Sequence, residues 1–204
     1  MSRDNQKSVV YAFSQKVWPD YATSHRLTPE RAHRLIMKVM IELRSVGMVH
    51  ANPAIDVTFR KKNGGEGGPM CIKLTPTYLP VRHVLHEVAH ALTLGATCPR
   101  HLRCEEGHGP RFVACMIALY EAFIPGDDWQ RPMSMANAGI TYTAYGPRVL
   151  HKIVANEKGK YAVYHRHPVD KHACVRIDKE AWAEWRRLLE PCRLATRKTG
   201  ALIV

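Results

Sequence analysis

A chain of 204 residues with 46% hydrophobic residues is long enough to bury one core without disulfide bonds, and its six cysteines fit thiols in a reducing compartment. It has no apolar run of membrane-spanning length, and residues 1–17 lack the features of a signal peptide, so we expect a cytoplasmic protein with no membrane partner. The net charge of +12 favours acidic partners, nucleic acid first, although the same excess also keeps a protein soluble.

Two helices are predicted before residue 50. Residues 1–27 mix apolar and polar groups and predict a short docked helix that ends near Pro19. Thr28 and Pro29 then form a typical helix start, because a capping hydroxyl precedes a proline at the first position. The helix that follows should end at Gly47 and pack behind the next one through an apolar face that contains Leu35, Ile36, Val39, Met40 and Leu43.

Residues 55–59 and 70–74 have the character of two half-buried strands, separated by a glycine-rich segment at residues 63–68. We expect this segment to be a hairpin turn, so that the two strands pair antiparallel. A phosphate-binding loop is the alternative for such a glycine run. The segment lacks the Gly-Lys-Ser/Thr ending and the following helix that such a loop requires.

Residues 80–94 predict an amphipathic helix that carries the motif HExxH. His86 and His90 are four residues apart, so they project from one face of this helix, one turn from each other. This is the spacing at which two imidazoles bind one zinc ion. Glu87 lies beside them on the polar face, which we expect to line a cleft while the apolar face enters the core.

A zinc site that is open to water needs a third protein ligand, and the candidates are His101, Glu105, Glu106 and His108. His108 is preferred, because it lies between two glycines that allow a tight bend and precedes Pro110, which can start a helix. The apolar pattern of residues 112–123 supports that helix. The metzincin pattern HExxHxxGxxH is excluded, since Thr93 and Ala96 stand at its glycine and histidine positions.

The two motifs together, His86-Glu87-x-x-His90 and Gly-His108-Gly-Pro-x-Phe112, resemble the SprT-like (Spartan-type) zinc metalloprotease domain over about residues 28–125. They are also similar to small metallopeptidases of bacteriophages and actinobacteria, and for a phage protein the location would be the host cytoplasm. The resemblance implies a zincin-like core, zinc bound by His86, His90 and His108, and Glu87 as general base. It also implies proteolysis, often of proteins on DNA, although the chain lacks the paired CxxC motifs of the zinc ribbon that many SprT-like proteins carry.

The stretch between the two motifs contains Cys98, His101 and Cys104, which offer ligands for a second metal ion or two thiols for a redox pair. No set of four ligands is visible, so we favour an exposed loop with incidental thiols. Three arginines of this region are candidates for phosphate contacts, although isolated loop arginines are usually solvated: Arg100, Arg103 and Arg111.

The C-terminal part predicts a small sheet and one helix. Residues 148–155 and 161–167 have the pattern of a hairpin, residues 173–177 that of a third strand, and Asp178 that of the cap of a helix through Glu190, followed by a mobile basic tail. Basic and aromatic residues alternate here, as in many nucleic-acid surfaces and equally in a solvated face of a structural appendage. The candidate nucleic-acid contacts are Arg148, Lys152, Arg166, Lys171 and Arg176.

These patterns predict an α+β protein, and the resemblance implies a zincin-like domain at residues 1–146, which holds the HExxH helix and a small antiparallel sheet. A basic appendage of a β-hairpin, a helix and a flexible tail follows at residues 147–204. We expect a zinc-dependent metallopeptidase that acts on protein substrates, in which Glu87 assists the attack of water. The alternatives are a nucleic-acid-binding or assembly protein that keeps a structural zinc site, and a hydrolase of a non-peptide substrate.

Overall fold

The computed structural model describes residue 10 and residues 26–61, 64–77, 79–104, 107–125, 142–144, 151–155, 160–164 and 173–200. In the strands between residues 142 and 176 it describes the backbone. The described part is mixed α+β, as predicted, with five helices and two sheets. Apart from residue 10, which is helical, the predicted helix before Pro19 lies outside the described ranges. Five of the candidate site residues also lie outside them: Glu105, Glu106, Arg148, Arg166 and Lys171.

The first helix, α1, spans Pro29–Ser45 and starts where the sequence predicts. Thr28 Oγ1 accepts a hydrogen bond from the backbone N–H of Arg31 at 3.3 Å, which caps the first turn. Gly47 follows the helix with a φ of +92°, a left-handed conformation that costs glycine little. The predicted apolar face of α1 is buried and packs against the second helix.

The first sheet contains β1 (Asp56–Phe59), β2 (Glu66–Gly67) and β3 (Cys71–Leu74) in the order β1-β3-β2. β1 and β3 pair in parallel, so the predicted antiparallel hairpin, and with it the antiparallel sheet, is wrong. The glycine-rich segment is also more than a turn, because it supplies β2, which pairs antiparallel with β3. Side-chain alternation identifies strands but not their direction, and the glycine run hid a short strand from the pattern.

The centre of the core is formed by α2 (Val81–Thr93) and α3 (Pro110–Phe123), which pack against each other. Tyr120 on α3 donates a hydrogen bond from its hydroxyl to the carbonyl of Arg82 on α2, at 2.8 Å. All 13 residues of α2 are buried, so its polar face does not line an open cleft as expected. The tertiary structure covers that face, because β2 and Phe112 pack against it.

The second sheet is antiparallel and contains β4 (Tyr142–Ala144), β5 (His151–Ala155), β6 (Lys160–Tyr164) and β7 (Ala173–Arg176) in sequence order. The predicted hairpin corresponds to β5 and β6, and the predicted third strand to β7. β4 is an additional strand in a segment whose periodicity was too weak for a prediction.

Two helices complete the chain, α4 (Lys179–Leu188) and α5 (Glu190–Thr199). Asp178 caps α4 as predicted, since its carboxylate accepts a hydrogen bond from the N–H of Ala181 at 2.9 Å. α5 forms where a mobile tail was expected, and the reason is tertiary. Its buried Thr196 donates a hydrogen bond to the carbonyl of Ala122 on α3 at 2.6 Å, so packing on α3 stabilises a polar helix.

The buried residues of α4 and α5 belong to the same hydrophobic core as those of α1, α2 and α3, with Trp185 completely buried. The domain boundary proposed at residue 146 stays a prediction, since the residues on both sides of it are outside the described ranges. Among the helices of the described ranges, none combines the length and the apolar character that crossing a bilayer requires.

Candidate metal centre

Three imidazoles meet at one point of the core. His86 and His90 project from one face of α2, and His108 comes from the short loop in front of α3. Their candidate ligand nitrogens all lie within 4.8 Å of one another. The Nε2 atoms of His86 and His108 are 3.2 Å apart, close to the separation of about 3.3 Å between two nitrogens on a tetrahedral zinc ion.

The loop that presents His108 is held by the helix behind it. Pro110 occupies the first turn of α3, directly after the N-cap residue Gly109. Gly109 has a φ of −66° and a ψ of 175°, an extended conformation open to any residue, so the bend expected at this glycine does not use a backbone angle that only glycine adopts. Phe112, one turn further on, stacks on the His90 ring at a centroid distance of 4.2 Å and meets the edges of the other two rings at 5.0 Å.

The three imidazoles are buried, with exposed fractions of 2% for His86, 9% for His90 and 5% for His108. Burial, and then the neighbouring His90 and His108 rings, hold the pKa of His86 well below its usual value of 6.5. His86 is therefore neutral at pH 7, and a neutral imidazole is the form that binds a metal ion. Three nitrogen donors suit zinc, and other divalent transition metals also accept them.

Of the other three candidate ligands, only His101 lies in the described ranges. It is exposed and does not belong to the three-histidine group. In the part of the chain that the structure describes, no fourth histidine, cysteine or carboxylate belongs to the group, and this includes Glu87. Three donors leave a coordination position of a four-coordinate zinc ion for water or substrate, which is the pattern of catalytic rather than structural sites.

Glu87 lies next to the ligands on α2 and is 2% exposed. Its Oε1 atom is 3.8 Å from Nδ1 of His83, one helical turn earlier. Burial, and then the charge of Arg82, lower the pKa of His83 to about 4, so His83 is neutral at pH 7 and the two groups do not form an ion pair. A carboxylate in this position is able to accept a proton without occupying a metal position.

The strand β2 crosses α2 at Glu87 and His90. A methyl group at Gly67 would lie 2.8 Å from Cβ of His90 and closer still to the backbone carbonyl of Glu87. Within the described ranges β2 is the edge of its sheet, since its only paired neighbour is β3. The absence of a side chain at Gly67 thus allows a sheet edge to come into direct contact with the helix that carries His86 and His90.

The stretch at residues 98–104 differs from the exposed loop that was expected. Cys98 and Cys104 are buried, with exposed fractions of 3% and 6%, and they belong to the core. Burial raises the pKa of Cys98 to about 11, so at neutral pH the residue is a thiol and not the reactive thiolate. The N–H of Cys104 donates to the carbonyl of Thr93 at 2.8 Å and anchors this stretch to the end of α2.

The arginine of α3 that was a candidate for phosphate contacts is bound within the protein. The guanidinium of Arg111 lies 3.2 Å from the carboxylate of Asp178 and donates a hydrogen bond to the carbonyl of Arg100 at 2.7 Å. Arg111 therefore connects the 98–104 stretch, α3 and the start of α4.

Two of the five candidate nucleic-acid contacts lie in described strands, Lys152 in β5 and Arg176 in β7. The register pairs Lys152 with Tyr164 and Lys160 with Arg176. Cross-strand partners and residues two apart along a strand share a face, so Lys152, Lys160 and Arg176 lie on one face of the second sheet.

Sequence reasoning did not single out two residues of this centre, His83 and Gly65. His83 precedes Glu87 by four residues, so the helical spacing contained the information. Gly65 lies against Glu87 because β2 packs on α2. No local sequence pattern predicts that packing.

Comparison of the chain with protein-family models, with curated proteins and with solved structures found no match.

Proposed function

We propose that this protein is a zinc-dependent metallopeptidase with a zincin-like core, similar to the SprT-like proteases. One observation carries the proposal: three buried imidazoles converge at α2, and the next residue of that helix after His86 is a buried glutamate, Glu87, that is not part of the three-histidine group. Three nitrogen donors with an open coordination position and a general base on the same helix are the parts that metal-assisted hydrolysis requires. The three imidazoles are packed in the core, and close packing holds their side chains in a fixed geometry.

His86, His90 and His108 would hold the zinc ion, which when bound supplies an acidified water and polarises the scissile carbonyl. Glu87 accepts the proton of the attacking water and delivers it to the leaving amine. Phe112, stacked on His90, holds that ring in its orientation and keeps water away from one side of the site.

The edge strand β2 is proposed as the place where a substrate peptide binds. An extended peptide can add to a sheet edge through main-chain hydrogen bonds, which tolerates many sequences. β2 suits this role because it contacts α2 at Glu87 and His90, so a peptide paired with it would lie next to the reacting groups.

Nucleic acid is proposed as a second partner, so that the substrates would include proteins bound to DNA. The support is the net charge of +12 and the face of the second sheet that contains Lys152, Lys160 and Arg176. Phosphate contacts of this kind weaken as the salt concentration rises.

A second candidate function is a nucleic-acid-binding or assembly protein in which zinc only braces the fold. The observation in its favour is the burial of the three imidazoles, none of which is more than 9% exposed. A structural ion would raise the stability of the protein without any hydrolysis.

The decisive experiment is digestion of casein, and of histones with and without DNA, by purified zinc-loaded protein. We expect cleavage that stops when a chelator removes the metal and returns when zinc is added back. DNA should accelerate the cleavage of histones and leave that of casein unchanged. If the chelator lowers the melting temperature while no substrate is cleaved before or after its addition, the structural-zinc function is correct and the peptidase is not.

A further inference from the structure

The carboxylate of Glu87 lies against Gly65, the residue directly before strand β2. A methyl group at Gly65 would lie 2.6 Å from Cδ and 2.7 Å from Cγ of Glu87, and closer still to Oε1. Ordinary contacts of this kind begin at 3.4 Å. Gly65 is not among the described glycines with a positive φ, so its backbone is open to any residue and only the space demands glycine.

We propose that Gly65 is a positioning residue for Glu87. The missing side chain leaves the space in which the carboxylate lies, and the residue that leads into β2 thereby fixes the general base relative to a peptide bound along that strand. The expected effect on turnover rests on the proposed peptidase function. The position of the carboxylate is tested separately, by a binding experiment that needs no turnover.

The size of the effect follows from geometry. A methyl group at residue 65 would force the carboxylate to move by about 1 Å to reach an ordinary contact distance, and misplacement of a catalytic group by about 1 Å costs about 100-fold in rate. The atoms it meets are the end of a flexible side chain, so the carboxylate gives way before the backbone does. The same Oε1 atom also faces His83, so a displaced carboxylate loses its position relative to that ring as well.

Gly68, three residues after Gly65, is a matched control for the substitution. A methyl group there would meet only the carbonyl of Cys71, at 3.7 Å, an ordinary contact. Gly67 does not serve as a control. A methyl group there would meet the backbone carbonyl of Glu87 and Cβ of His90, and would therefore displace α2 itself.

The first test compares casein cleavage by Gly65→Ala and Gly68→Ala. We expect Gly65→Ala to bind zinc with the wild-type stoichiometry, to keep its KM and to lose about 100-fold in kcat, as a misplaced general base predicts. Gly68→Ala should match the wild type in all three quantities. Wild-type kcat in Gly65→Ala, or an equal loss in both variants, would overturn the proposal.

The second test does not need turnover. Acetohydroxamic acid binds zinc through two oxygens and donates a hydrogen bond that a carboxylate beside the metal can accept. Its affinity for the zinc-loaded protein, measured by calorimetry, should fall about tenfold in Gly65→Ala, the loss expected for one charge-assisted hydrogen bond. It should stay unchanged in Gly68→Ala.

A double-mutant cycle separates the carboxylate from any other effect of the methyl group. In a Glu87→Ala background, Gly65→Ala should cause no further loss of hydroxamate affinity, because the group it displaces is gone. A tenfold loss that persists in that background would overturn the proposal. If the wild type cleaves no protein substrate, the peptidase function fails, and the hydroxamate cycle still decides the role of Gly65.

Discussion

His83, His86, Glu87 and His90 share one stripe of α2, but they fall into two pairs with different neighbours. The rings of His86 and His90 face His108 and Phe112, whereas the carboxylate of Glu87 lies near His83 and Gly65. The helical period brings the four side chains to one face, and the packing of a loop and a strand then separates the two histidines of the three-histidine group from the Glu87 carboxylate.

Replacement of Glu87 by glutamine removes the proposed proton acceptor and keeps the size of the side chain. We expect Glu87→Gln to lose about 100- to 10,000-fold in the rate of casein cleavage, the usual contribution of a general base. Zinc content should not change, because Glu87 is not one of the metal-binding group. Cleavage at the wild-type rate would refute the role of this carboxylate.

Loss of one imidazole should release the metal. His108→Ala leaves two protein donors, so we expect the zinc content of the purified protein, measured by mass spectrometry, to fall from about one ion per chain to near zero. His101→Ala is the matched control, since His101 is exposed and lies outside the group. Zinc retained by His108→Ala and lost by His101→Ala would mean that the metal binds elsewhere.

The helices and strands depend on signals of different range. Thr28 and Asp178 cap their helices through a hydrogen bond to an N–H three residues later, so the sequence alone predicts both starts. The direction of β1 relative to β3 depends on β2, which pairs with β3 on its other side. No pattern within either strand contains that information, and the predicted hairpin was therefore wrong.

The start of α4 provides a test at this scale. Asp178→Ala removes the cap of α4 and the contact with Arg111, and should lower the free energy of unfolding by about 1–2 kcal/mol in a denaturant titration. Glu184→Ala, which removes only the exposed pair with Arg187, should cost less than about 0.5 kcal/mol. Equal losses in the two variants would show that the cap contributes nothing.

At the scale of the whole molecule, a buried carboxylate joins α3 to the C-terminal helices. Glu121 on α3 is 3% exposed and lies 2.9 Å from Nε of Arg186 on α4. Burial raises the pKa of Glu121 to about 7, against the opposing charges of Arg186, Arg193 and Arg197. The folded protein therefore binds a proton between pH 4.5 and 7 that the unfolded chain releases.

This proton makes stability depend on pH with a definite sign. A raised pKa in the folded state contributes stability that is fully present below pH 4.5 and is lost as the pH rises to about 7. Relative to Glu121→Gln, the wild type should lose about 1–3 kcal/mol of unfolding free energy between pH 5 and pH 7.5. His83, with a lowered pKa of about 4, acts in the opposite direction in both proteins and cancels in the comparison. A difference that does not change with pH would contradict the prediction.

The sequence by itself determined the metal motif, because HExxH on an amphipathic helix places its groups through the helical period alone. It also determined the helix starts, since a cap acts within four residues. Only the tertiary structure decided that His108 reaches the other two rings, that β1 and β3 run in parallel, that α5 is a helix and that Gly65 lies against Glu87. These features join residues far apart in the chain, and their free energy comes from packing that no local pattern records.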